Sequence, residues 1–150
     1  INVSDVTHKY AVDVTFNLSD LTMGGTITWN VNDLKYDVEG TTLENSTQEI
    51  KVYNRSDLSV YAYATVSNTD NNDGITVTAN KDSETNRLTI DKATAKSGTT
   101  SGAPAEGTLT ISITSADWNA VAEYYAAKKI ANQSAVSFKF ATITVTITKV

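Results

Sequence analysis

The last sixteen residues, AVSFKFATITVTITKV (135–150), are almost all β-formers, and no other stretch limits the fold as strongly. A flat strand of that length would reach roughly 50 Å at about 3.3 Å per residue, against about 17–20 Å for an ordinary strand. It must bend or break, and the side-chain phase says where. Val136, Phe138 and Phe140 share one face, whereas Ile143, Val145 and Ile147 fall in the opposite phase, so the inward-facing set changes near Ala141. A one-residue slip exchanges the two faces of a strand, so the change predicts a β-bulge or a crossing between sheets at that point.

Alternation recurs along the chain. KYAVDVTFNL places Tyr10, Val12, Val14, Phe16 and Leu18 on one face and Lys9, Asp13, Thr15 and Asn17 on the other, the pattern of a strand with one wet side. Gly24-Gly25 predicts a turn, with TITWNV and LKYDV giving one or two strands after it. TQEIKVYN and LSVYAYATV are separated only by Arg55-Ser56-Asp57, short enough for a hairpin or a bent continuation. GITVTAN, RLTIDKAT and EGTLTISIT follow at sandwich-like intervals, with a small, polar, mobile loop expected over 95–107. One helix interrupts the strands, SADWNAVAEYYAAKKIAN (115–132), where Trp118, Val121, Ala122 and Tyr125 form an apolar stripe. Thr114 or Ser115 is the expected cap at its start and Asn132 the expected close. The stripe should lie on a sheet edge or across the open end of the sandwich. The expected fold is a single all-β domain over 1–150: a jelly-roll or immunoglobulin-like β-sandwich with one inserted helix.

A chain of 150 residues buries enough surface for one core without metal or disulfide support. Cysteine is absent, which removes disulfides, thiolate metal sites and a cysteine nucleophile. A net charge of −5, with Arg55 and Arg87 the only arginines, argues against a nucleic-acid partner, whose affinity rests on clustered cations. No run of about 18 apolar residues is present, and no charged segment precedes an apolar one, so neither a membrane span nor a signal peptide is expected. A start at Ile1 without Met suits a processed export product. Thr, Ser and Asn make up about a third of the residues while only 19% are charged, a balance that leans towards a secreted β-rich surface protein.

Chemistry-bearing motifs are sparse. His8 is the only histidine, and nucleophile elbows, zinc-protease helices and phosphate-binding loops are missing. Asp33, Asp37 and Glu39 flank Trp29 and Tyr36, a set that could line the sugar cleft of a glycoside hydrolase, although acids on a strand's wet face explain them more cheaply. NTDNNDG offers oxygen donors at Asn68, Asp70, Asn72 and Asp73 for a Ca²⁺ ion; the EF-hand spacing fails and a tight hairpin loop is favoured, so no cofactor is expected. Asn2, Asn17, Asn45, Asn54 and Asn132 each begin an N-x-[ST] glycosylation triplet. Tyr61 and Tyr63 share a face; with Val60, Ala62, Ala64 and Val66 inward they would stand outside as a stripe able to stack on a sugar, and in the reverse phase they would be core.

IKVYNRSDLSVYAYATVSN (50–68) consists of a strand, an Asn-x-Ser turn and a strand of small and β-branched residues. Together with the alternating N-terminal strand and the helix placed before the last strand, it resembles the TasA and camelysin type of exported fibre subunit. The resemblance implies a jelly-roll-like sandwich without an active site, whose function is assembly. Identical subunits would polymerise outside the cell, at its surface, when the N-terminal segment of one completes a sheet of the next. INVSDVT fits such a donor: Ile1, Val3 and Val6 precede the first strong strand, and residues 1–8 have no nearby sequence partner. Other candidate donors are the strand from Lys9 to Leu18, with Tyr10, Val12 and Val14 at the interface, and the C-terminal tail. The competing expectations are that both termini pair within one subunit, or that the chain is a monomeric secreted carbohydrate-binding or adhesin module using Trp29 and surface tyrosines. Lys51 or Lys139 could form a pilin-like isopeptide with an Asn if it lay in a core, against the cheaper reading of a surface lysine.

Overall fold

The structure is a computed structural model of the chain and describes residues 10–17, 22–44, 46–68, 74–99, 101–124 and 141–150. Among them the chain forms β1 (Val12–Asn17), β2 (Thr22–Asn30), β3 (Lys35–Glu44), β4 (Thr47–Asn54), β5 (Val60–Asn68), β6 (Thr76–Ala79), β7 (Leu88–Ile90), β8 (Ala105–Thr114) and β9 (Ala141–Lys149). They make a four-stranded antiparallel sheet in the order β1-β4-β8-β6, a three-stranded one in the order β7-β5-β9, and a separate β2-β3 hairpin. The all-β expectation therefore holds, with the two larger sheets meeting across one core.

Period-two patterning determines which side of each strand enters that core. On β4, Ile50 and Val52 are fully buried, and so are Ala62 and Ala64 on β5 and Leu109 on β8. Tyr61, Tyr63 and Thr65 alternate with the buried positions of β5 and face outward, which settles the phase in favour of an external tyrosine stripe. Residues 55–59 carry the chain from β4 in one sheet to β5 in the other, so the Arg55-Ser56-Asp57 break is a bent continuation rather than a hairpin. Gly107 occupies an inward position of β8, and a Cβ there would stand 2.7 Å from Ile90 Cδ1 and 2.8 Å from Leu88 Cδ2. Its lack of a side chain lets β7 come down onto β8.

Three local expectations are corrected. Gly24-Gly25 lies inside β2, not in a turn. The register passes from Gly24↔Thr42 to Thr26↔Glu39, so Gly40 and Thr41 of β3 face the single Gly25, and Gly40 takes φ +63°. A left-handed glycine is the usual first residue of such a bulge, and bulges share their glycine content with turns. The helix begins at 118, and Asp117 is its cap: Asp117 Oδ1 accepts the N–H groups of Asn119 (3.0 Å) and Ala120 (3.2 Å). Ser115 acts one step earlier, its Oγ accepting the Asp117 N–H at 3.1 Å. The loop expected over 95–107 is shorter, since Thr94 and Ala103 exchange backbone bonds and β8 has begun by Ala105. The helix is described over 118–124, where Val121 and Ala122 are buried and Trp118 packs against the core. Its later turns, and the phase change over 135–140, lie outside the described residues.

Candidate assembly surface

The two long sides of the sandwich differ in how their edges are joined. Beyond β6, Asn80 N–H donates to Thr110 O of β8 (3.0 Å) and Asn80 Oδ1 accepts the Thr110 N–H (2.9 Å), while the next carbonyl, Lys81 O, accepts the Ala64 N–H of β5 (2.8 Å). Two consecutive residues thus tie one sheet to the other. Beneath this seam Val77 and Ile90 are buried. On the other side β1 and β9 are the outer strands of their sheets, and among the described residues no strand pairs with the outer edge of either. At one end, Lys149 Nζ of β9 lies 4.5 Å from the centre of the ring of Tyr10, just before β1.

The core is unfinished along β9. Ile143, Val145 and Ile147 pair in register with Val66, Ala64 and Ala62 and share their inward phase, yet all three are only half-buried while Ala62 and Ala64 are fully buried. Phe16, at the far end of β1 and in phase with Val12 and Val14, remains 50% exposed. Among the described residues, the outer edge of the nine-residue β9 has no strand pairing with its backbone, beside apolar side chains that are partly exposed.

A buried polar corner holds the chain where it enters this side. Asn54 and Ser56 are both fully buried. Asn54 Nδ2 donates to Leu58 O (2.9 Å), Asp91 O (2.8 Å) and Ile90 O (3.4 Å), and Asn54 Oδ1 accepts the Ser56 N–H (2.9 Å). Ser56 Oγ accepts the Ala11 N–H (2.8 Å) and the Arg55 N–H donates to Ala11 O (2.8 Å). Asp13 and Arg55 add an exposed ion pair at 2.6 Å. Sequence reasoning missed this corner; Asn-x-Ser between two apolar strands is the signal that could have found it.

Several candidate residues are relocated. β1 pairs with β4 from Val12↔Asn54 to Asn17↔Glu49, so Tyr10, Val12 and Val14 pack on this chain's own core and β1 is not a free donor. β9 is likewise engaged with β5 along its inner edge. Ile1, Val3, Val6, Asn2 and His8 lie outside the described residues, as do Asn45, Asn132, Lys139, Asp70, Asn72 and Asp73; Asn68 ends β5 and Asn17 ends β1. Asn54 is not a glycan acceptor in the folded chain, because its amide nitrogen is buried and fully engaged.

The sugar-cleft arrangement is not assembled. The hairpin register puts Trp29 on one face, with Asp37 and Glu39 on the other, while Asp33 and Asp37 both accept from Asn30 Nδ2 (3.2 and 2.9 Å). Lys51 is no core lysine: it lies outside β4, 3.2 Å from Glu106, 3.6 Å from Glu49 and 2.8 Å from Thr108 Oγ1. The Glu106 hydrogen bond raises its pKa above the ordinary lysine value, against the opposing effect of desolvation and with the charge of Glu49 adding to the rise. Among the described residues no three or more His, Cys, Asp or Glu side chains come together as metal ligands, and no helix is long and apolar enough to cross a membrane. Comparison with protein-family models, with curated proteins and with solved structures finds no match for this chain.

Proposed function

We propose that this chain is a non-enzymatic structural subunit of an extracellular, cell-surface filament. Its sandwich, of jelly-roll or immunoglobulin-like type, polymerises by donor-strand complementation between identical subunits. The observation that supports this most directly is the open β1–β9 side, with Ile143, Val145 and Ile147 half-buried along an edge that has no neighbour among the described residues. An extended segment of eight residues reaches about 26 Å and β9 about 30 Å at about 3.3 Å per residue, so residues 1–8 of a neighbour match the edge in length. Backbone bonds would supply affinity and Ile1, Val3 and Val6 the side chains that finish the core. With β1 and β9 both committed inside the chain, segment 1–8 is the remaining candidate donor. Export is supported by the Thr, Ser and Asn content and low charge.

A second reading, a monomeric carbohydrate-binding or adhesin module, is favoured by one feature: Tyr61 and Tyr63 face outward on β5 and the Arg87 guanidinium stacks 3.4 Å over the Tyr61 ring. Negative-stain microscopy and light scattering of the purified chain separate the two. Filaments that vanish when residues 1–7 are deleted, leaving a monomer that binds a synthetic 1–8 peptide, are the expected result. A concentration-independent 16.1 kDa monomer of the intact chain would overturn the subunit reading. Filaments that survive the deletion would remove segment 1–8 as the connector.

A further inference from the structure

The Asn54-Arg55-Ser56 triplet is complete in the sequence and shut in the fold. In an unfolded chain it has what transfer of a sugar to asparagine requires: an amide nitrogen, a hydroxyl two residues on, and a residue other than proline between them. In the sandwich Asn54 continues the inward phase of Gln48, Ile50 and Val52 on β4, a central strand on which Val12 and Ala105 flank it from either side. Asn54 and Ser56 are both 0% exposed. The amide of Asn54 already donates to Leu58 O (2.9 Å) and Asp91 O (2.8 Å), and Ser56 Oγ already accepts from Ala11 (2.8 Å).

Transfer joins C1 of an activated sugar to Asn54 Nδ2: the C1–O bond to the carrier diphosphate breaks, the diphosphate leaves with the electron pair, and Nδ2 releases one proton. One of the two short amide bonds is then lost, and Leu58 O or Asp91 O stays inside the fold without its donor. Volume is the larger obstacle, because the sugar would stand on the core face of a central strand, where a close-packed interior has no room for a ring of hydroxyls. We infer that Asn54 is a modification site of the unfolded chain alone: a sugar there and the native sandwich exclude each other, so glycosylation ahead of folding withdraws the chain from the folded pool. For an exported chain this sets an order. It folds before its triplets meet a transferase, or it crosses the membrane where none reads unfolded chains. The exclusion is a property of one chain and is independent of the filament reading.

The test uses a soluble N-glucosyltransferase with UDP-glucose, since a single glucose is a small addition and makes the exclusion hard to satisfy by chance. It is given the full-length chain and a full-length variant carrying Ile50→Asp and Leu109→Asp, two core carboxylates that keep the chain unfolded and leave the triplet intact. Mass spectrometry reads occupancy at Asn54. The expected result is occupancy about tenfold or more higher in the unfolded variant, abolished there by Ser56→Ala. The unsubstituted chain is then diluted out of urea in the presence of the enzyme, so that transfer competes with folding. Chains bearing glucose at Asn54 should be missing from the soluble fraction that shows the native urea transition and enriched in the fraction that does not refold. Equal occupancy of the folded chain and the unfolded variant would overturn the inference. So would a soluble chain glucosylated at Asn54 whose urea midpoint matches that of the unmodified chain. An unfolded variant modified at Asn2 or Asn45 and never at Asn54 would also overturn it, by showing that the triplet is no acceptor.

Discussion

On the β6–β7 side, Asn80 and Lys81 carry backbone hydrogen bonds from one sheet to the other, and Val77 and Ile90 beneath them are buried. On the β1–β9 side no backbone bond joining the two sheets is seen among the described residues; Lys149 lies over the Tyr10 ring, and the inward side chains of β9 stay half-buried. Both sides use the same strand chemistry, alternating β-branched and polar residues. What separates them is the connection. Residues 80–87 run between edges of the two sheets and close one side as a by-product of topology, whereas no described segment joins β1 to β9. Among the described residues the sandwich is therefore joined sheet to sheet on the β6–β7 side, while the outer edges of β1 and β9 have no strand beside them.

The largest test of that contrast lies in the closed core. Leu109 is fully buried on β8, and Leu109→Ala should cost about 2–5 kcal/mol, the transfer loss plus a cavity that rigid neighbours cannot collapse. Urea unfolding of the monomer would measure it. A loss below about 1 kcal/mol would mean that the core relaxes and that the closed side is no better packed than the open one. Asn54→Ala comes next. It strips Leu58 O and Asp91 O of their donor and the Ser56 N–H of its acceptor inside the fold, and a cost of about 2–3 kcal/mol is expected because unsatisfied buried groups keep their desolvation penalty. Ser56 holds Ala11, so amide exchange at Ala11, on the open side, should quicken in the same variant. Unchanged exchange there would show that the corner stabilises β7 alone.

How much of this could be read from the residues follows from what strand periodicity encodes. Inside and outside on β1, β4, β5 and β8 were legible because burial of one face forces alternation, and Tyr61 and Tyr63 took one of the two phases the pattern allowed. Which strands become neighbours was not legible. Nothing local to Ile143, Val145 and Ile147 distinguishes a central strand from an edge, since register partners are chosen by the path of the whole chain. Gly24-Gly25 misled because paired glycines mark strand irregularities as well as turns, here a bulge whose left-handed residue is Gly40 on the facing strand, and the helix cap because Thr114, Ser115 and Asp117 all offer a suitable oxygen within four positions. Asn54 carried a glycosylation triplet whose real meaning, a buried amide bonding three carbonyls, depends on the β7 end brought beside it by folding.

The smallest expected effect is the most informative about the open side. Val145 is partly exposed beside the fully buried Ala64, so Val145→Ala should cost the monomer only about 1 kcal/mol, well below the Leu109 substitution, because it removes fewer methyl groups from a less enclosed site. If the edge is completed by a neighbour's strand, the same methyl groups become buried on assembly. The substitution should then weaken polymerisation as well, raising the critical concentration several-fold beyond what the small shift of the monomer's urea midpoint accounts for. The two measurements answer different questions about one side chain. A full core-like loss in the monomer would show that β9 is already covered within its own subunit, and the two sides of the sandwich would no longer differ. A monomer loss near 1 kcal/mol with an unaltered critical concentration would leave the edge open but place the growing contact elsewhere.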